Sequence, residues 1–168
     1  MDYWKALKSW HTKASQEEDY FIKFFLEYTS FISYLNMNRN SKRDRPLIQN
    51  LKQDNDLREK YLERVDNDTL KDLILHLESV PIQNVTNPDD KWWDFDGENL
   101  PNGHVKSPND GKIATTKDFR NIIEFIYRAR NNLFHGHKLL DYEEDLIIVT
   151  YGYKILYPLM EIVIEEKK

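Results

Sequence analysis

At 168 residues, with 40% apolar and 13% aromatic residues, the chain is long enough for one domain with a real hydrophobic core and too aromatic for a disordered one. A net charge of −5 argues against a broad, sequence-blind grip on nucleic acid, and the absence of cysteine excludes disulfides, thiolate metal sites and cysteine nucleophiles. No apolar run approaches the roughly 20 residues that span a bilayer, and Met1-Asp2-Tyr3-Trp4-Lys5 lacks the basic and apolar regions of a signal peptide, so a cytoplasmic protein with no membrane segment is expected.

In chain order, a first helix is predicted over about residues 16–37, where Tyr20, Phe21, Phe24, Phe25, Tyr28, Phe31, Ile32 and Leu35 recur at helical spacing and Glu17 and Glu18 occupy the first turn. Leu57 to Val65 reads as a short second helix. Asp68 is placed to cap a third, through Leu70, Leu73, Ile74 and Leu77, which Pro81 stops. Residues 81–115 then hold four of the six prolines and three of the five glycines, the composition of a long surface loop, with a small hairpin around Trp92-Trp93 as an option. A tryptophan pair can stack on a base, but more often it anchors such a loop on the core. Thr115 is placed to cap a fourth helix carrying Phe119, Ile122, Ile123, Ile126 and Leu133, closed by Gly136. A last helix runs from about Glu143 to Glu166, with a kink expected at Pro158. The expected architecture is an all-α, four- to five-helix up-and-down bundle. It forms a single domain over residues 1–168, with an 81–115 loop insertion between the third and fourth helices.

The charge is segregated. Residues 117–138 carry five Lys/Arg against two Asp/Glu, a net +3, whereas 141–168 carry three against seven, a net −4. The positive side contains Arg130-Asn131-Asn132-Leu133-Phe134-His135-Gly136. Arg130 follows Ile123 by seven residues, about 20° away on a helical wheel, which sets a charge on the apolar stripe. Such an arginine needs an ion partner, an interface or a site. Arg120, Glu124 and Arg128 form an i,i+4 ladder that reads more simply as a solvated face. His135 lies five residues after Arg130, about 140° round an ideal helix, so one rigid helix cannot turn both toward one small substrate. The plain structural alternative is a histidine and a glycine decorating a helix end. His11, His76, His104 and His137 lie without a clustered carboxylate motif, so neither metal nor cofactor is expected.

The stretch Phe125-Ile126-Tyr127-Arg128-Ala129-Arg130-Asn131-Asn132-Leu133-Phe134-His135-Gly136-His137-Lys138 resembles the signature of the HEPN superfamily: an arginine, often a polar residue directly after it, and a histidine four to six residues on. The likeness covers about residues 116–165. It implies a helical bundle that dimerises so that two motifs meet, which removes the 140° difficulty. Many HEPN proteins are metal-independent endoribonucleases of toxin–antitoxin, abortive-infection or CRISPR-associated systems. Others are non-catalytic modules that bind RNA, a nucleotide or a protein partner. Carried over by position, Arg130 would bind the scissile phosphate, His135 would be general acid or base, and Asn131 would orient either of them. Lys138, Asn132 and Arg128 would hold RNA backbone. The expected partners are RNA, a second copy of the chain, and a cognate antitoxin or nucleotidyltransferase.

Overall fold

The computed structural model describes residues 2–37, 43–84, 111–134 and 143–166. Their elements are α1 (Tyr3–Gln16), α2 (Tyr20–Met37), α3 (Asp44–Leu51), α4 (Asn55–Arg64), α5 (Asn67–Ser79), α6 (Phe119–Phe134) and α7 (Glu143–Glu166), with no strand among the described residues. The all-α expectation therefore holds. The chain groups into two compact units, Met1–Val65 with Leu140–Lys168, and Asp66–Leu139.

The first unit is built on α1, α2 and α7, with α1 packed along α2 and α2 along α7. Helix α1 was not expected. Asp2 starts it by accepting from the Lys5 backbone N–H at 3.0 Å, and only Leu7 and Ala14 are fully buried, seven residues apart. So sparse an apolar seam, with half-exposed aromatics between, hides the helical period. The Ser30 hydroxyl donates to the Leu7 carbonyl at 2.9 Å and fixes the α1–α2 register. Helix α2 begins later than the pattern suggests. Asp19 accepts from the backbone N–H groups of Phe21 and Ile22 at 2.8 and 3.1 Å, so Glu17 and Glu18 belong to the connection and not to the first turn. Where α2 meets α7, Gly152 lets the helices approach: a Cβ there would lie 2.7 Å from Cε2 of the fully buried Phe24.

Two short helices complete this unit. Helix α3 buries Leu47, Ile48 and Leu51. Helix α4 is capped by Asp54, which accepts from the Leu57 N–H at 3.0 Å. Its Tyr61 is fully buried and donates to the Ile155 carbonyl of α7 at 2.9 Å. That bond falls beside Pro158, which has no N–H for the Lys154 carbonyl and lies within the continuous helix. Helix α7 spans Glu143–Glu166, as the sequence predicts. It is long and apolar enough to cross a membrane by length and composition, 56% of its apolar window is buried, and it packs against α2 and α4.

In the second unit, α5 is capped by Asp66 and not by Asp68. The Asp66 carboxylate accepts from the Thr69 N–H at 2.9 Å and its hydroxyl at 2.6 Å, while Asp68 pairs with Lys71 at 2.9 Å. The cap side chain must reach the third residue onward, and only Asp66 precedes the first turn. After α5, the Ile82 N–H donates to the Gly111 carbonyl at 3.0 Å. Gly111 sits at φ +58°, where a Cβ would meet the Ile82 carbonyl oxygen at 2.9 Å. Residues 85–110, including Trp92 and Trp93, lie outside the described residues. Helix α6 starts at Phe119, and the residue before it, Asp118, replaces the expected Thr115 as cap. Asp118 accepts from the Asn121 N–H at 3.4 Å and from Asn121 Nδ2 at 2.8 Å, whereas Thr115 closes the preceding turn.

Candidate functional site

Helix α6 carries the arginine motif and is buried on most of its circumference. Ile122, Ile123, Phe125, Ile126 and Ala129 are all inaccessible. Such a helix has little room for solvated charge, and this decides the fate of its polar residues. Glu124, expected on a water-facing ladder, is also fully buried, and its carboxylate accepts from Arg128 Nε at 2.6 Å. Arg128 retains 15% side-chain exposure. The ladder is therefore not a solvated face: Glu124 is an enclosed carboxylate, which must be met by a donor and finds Arg128 one turn on. An i,i+4 spacing reads the same on the surface and in the interior, so the sequence carried no sign of the difference.

Arg130 lies on the half-buried part of the last turn, as its place on the wheel beside Ile123 requires. Its Nη1 donates to Asn131 Oδ1 at 3.0 Å, and its Nε is enclosed. Successive residues do not face each other on a helix, so this bond bends the guanidinium back across the Asn131 side chain and restricts its rotamers. The amide is neutral. It orients the guanidinium through this hydrogen bond. A guanidinium presents paired N–H donors that match two oxygens of a tetrahedral phosphate group.

Asn132 points elsewhere. It is buried, with 1% exposure, and Nδ2 donates to the Gln83 carbonyl at 2.9 Å, tying the last turn of α6 to the residues that follow α5. The structure thus brings Arg130 and Asn131 together and places Arg128 with Glu124 and Asn132 with Gln83. Phe134 is the final residue of α6. His135 and Lys138, which complete the motif, and Gly136, the expected helix stop, lie outside the described residues. Among the described residues no group of three or more histidine or acidic side chains is placed to hold a metal ion.

Comparison with protein-family models, with curated proteins and with solved structures finds no match to this chain.

Proposed function

We propose that the chain is a metal-independent endoribonuclease of the HEPN kind, acting as a homodimer whose two motifs form one composite site. The observation that carries this is the pairing of Arg130 with Asn131 at 3.0 Å at the end of α6, directly before His135 in the sequence. Arg130 binds the scissile phosphate and stabilises the charge that grows on its oxygens during displacement. His135 acts as general base toward the ribose 2′-OH or as general acid toward the leaving 5′-oxygen. The 2′-oxygen bonds to phosphorus as the P–O5′ bond breaks. The products are a 2′,3′-cyclic phosphate and a 5′-hydroxyl, with no water consumed. Asn131 holds the guanidinium in register, Lys138 and Arg128 are the further cations near the motif, and Asn132 ties the last turn of α6 to Gln83. A toxin or antiphage effector working in the cytoplasm, with an antitoxin or a nucleotidyltransferase beside it, is the setting that suits such an activity.

The test is cleavage of varied RNAs by the purified protein in EDTA, wild type beside Arg130→Ala and His135→Ala, with product ends identified. The expected result is cyclic-phosphate ends, with cleavage reduced about 100-fold or more in each variant, the scale of losing a transition-state donor or a general acid–base. Cleavage that needs a divalent ion, or that survives both substitutions, refutes the proposal. A second reading, a non-catalytic HEPN module that binds RNA, a nucleotide or a protein, draws on one observation. The Arg128 charge is taken up by buried Glu124, which lowers the positive potential available for RNA. A folded dimer that binds RNA without cutting it would establish that reading instead.

A further inference from the structure

In the first unit, a cluster of titratable side chains joins α1, α2 and α7, and no part of the proposed nuclease chemistry uses it. At its centre is Glu27 of α2, whose side chain is fully buried. Nδ1 of His11, from α1, lies 2.8 Å from Glu27 Oε1. The imidazole is stacked on Tyr157 of α7, with ring centroids 4.7 Å apart at 22°. Tyr153 packs against Tyr157 at 5.5 Å and against Tyr20 at 5.9 Å, and the Lys23 ammonium lies 4.9 Å from the Tyr153 ring. His11 is therefore a clasp: one face lies on α7, one nitrogen meets α2, and 13% of the side chain remains exposed.

The second carboxylate oxygen carries the argument further. Glu27 Oε2 is enclosed and has no hydrogen-bond partner among the described residues. An ionised carboxylate spreads its charge over both oxygens and needs donors at both, so an enclosed bare oxygen is tolerable when it bears a proton and costly when it bears charge. We propose that the His11–Glu27 pair is a pH-dependent latch, which holds α1 against α2 and α7 while the dyad keeps its proton and loosens as the Glu27 carboxyl gives that proton up.

The charged surroundings agree. The groups acting on Glu27 are His11 from α1, which favours the carboxylate, and Glu161 from α7, which opposes it; α3, which also touches α2, brings no charge to bear there. Burial outweighs the pull of His11, so the Glu27 carboxyl stands above its ordinary value of 4.5. Burial first, and then the Glu27 and Glu161 side chains, raises the Tyr153 and Tyr157 phenols above their ordinary value of 10.0. The sign follows from proton binding. When α1 opens, Glu27 meets water and titrates near 4.5; when α1 is closed, it keeps its proton to higher pH. Closure is thus favoured on the acid side and weakens as pH rises from 4.5 to the raised value, beyond which it changes no further.

The test compares wild type with Glu27→Gln, which keeps an acceptor for His11 Nδ1–H and removes the titrating proton. Hydrogen exchange of the α1 amides, corrected for intrinsic rates, is measured from pH 4 to 8. In wild type, protection of α1 falls with rising pH relative to the variant, about tenfold for each pH unit by which the carboxyl is raised. A wild-type-to-variant ratio that stays flat over this range, or rises with pH, overturns the proposal. Should Glu27→Gln not fold, wild type decides by itself: α1 protection must fall with pH relative to the α5 amides, and parallel behaviour overturns the latch.

Discussion

Gly152→Ala sets two well-known effects against each other at the contact that brings α2 and α7 together. Helix propensity alone favours the substitution, because alanine in a helix interior is better than glycine by about 1 kcal/mol. Packing opposes it. The new methyl would stand 2.7, 3.0 and 3.2 Å from three ring carbons of Phe24, well inside ordinary contact. That ring is fully buried, with Tyr28 against it at a centroid distance of 6.0 Å, so it has nowhere to swing. Overpacking of this kind costs about 1–3 kcal/mol. The upper half of that range applies here, because three close contacts fall on a rigid ring, and the net expectation is a loss of about 1–2 kcal/mol. For a chain of this size that lowers Tm by about 3–6 °C. Urea and thermal unfolding followed by far-UV circular dichroism measure it. The double variant Phe24→Leu/Gly152→Ala isolates the cause, since the extra cost of the methyl should largely vanish once the ring is gone. A Gly152→Ala protein as stable as wild type, or more so, would show that α7 can shift away from α2 and would refute the close-approach account.

Two further outcomes follow from other buried groups. Glu124→Ala leaves Arg128 without the carboxylate it meets at 2.6 Å, and should cost about 3 kcal/mol, read as a lower urea midpoint; an unchanged midpoint would mean the pair is surface-like after all. In alkaline titration, Tyr34 should ionise only near pH 12, held up by burial and then by the charges of Asp54 and Glu166. Because its folded value lies above the ordinary 10.0, the folded state keeps a proton the unfolded chain loses, and stability falls as pH rises from about 10 to about 12. Phenolate absorbance of wild type against Tyr34→Phe checks the titration and their urea midpoints between pH 10 and 12 check the stability, and a Tyr34 that titrates at its ordinary value would contradict both.

What the sequence determined by itself is what local chemistry controls. The dense aromatic period of α2 and the long apolar pattern of α7 identify both helices, because each buries a wide face whose spacing is visible in the chain. The motif at Arg130 is legible for the same reason, since a charge on an apolar stripe stands out against its neighbours. Tertiary structure decided the rest. Helix α1 has too few buried residues to show a period and exists by packing along α2. The choice between Asp66 and Asp68 as cap, or between Asp118 and Thr115, turns on where the first turn begins, which near-equivalent residues leave open. Glu124 and Arg128 would look the same on a surface; only the enclosure of α6 makes them a buried pair. His11 and Glu27 stand sixteen residues apart, with nothing in either local sequence to join them. Their meeting is a product of the α1–α2 hairpin and the tyrosines of α7: a sequence shows which groups can hold a proton, but burial and the partner across a helix interface decide whether they keep it.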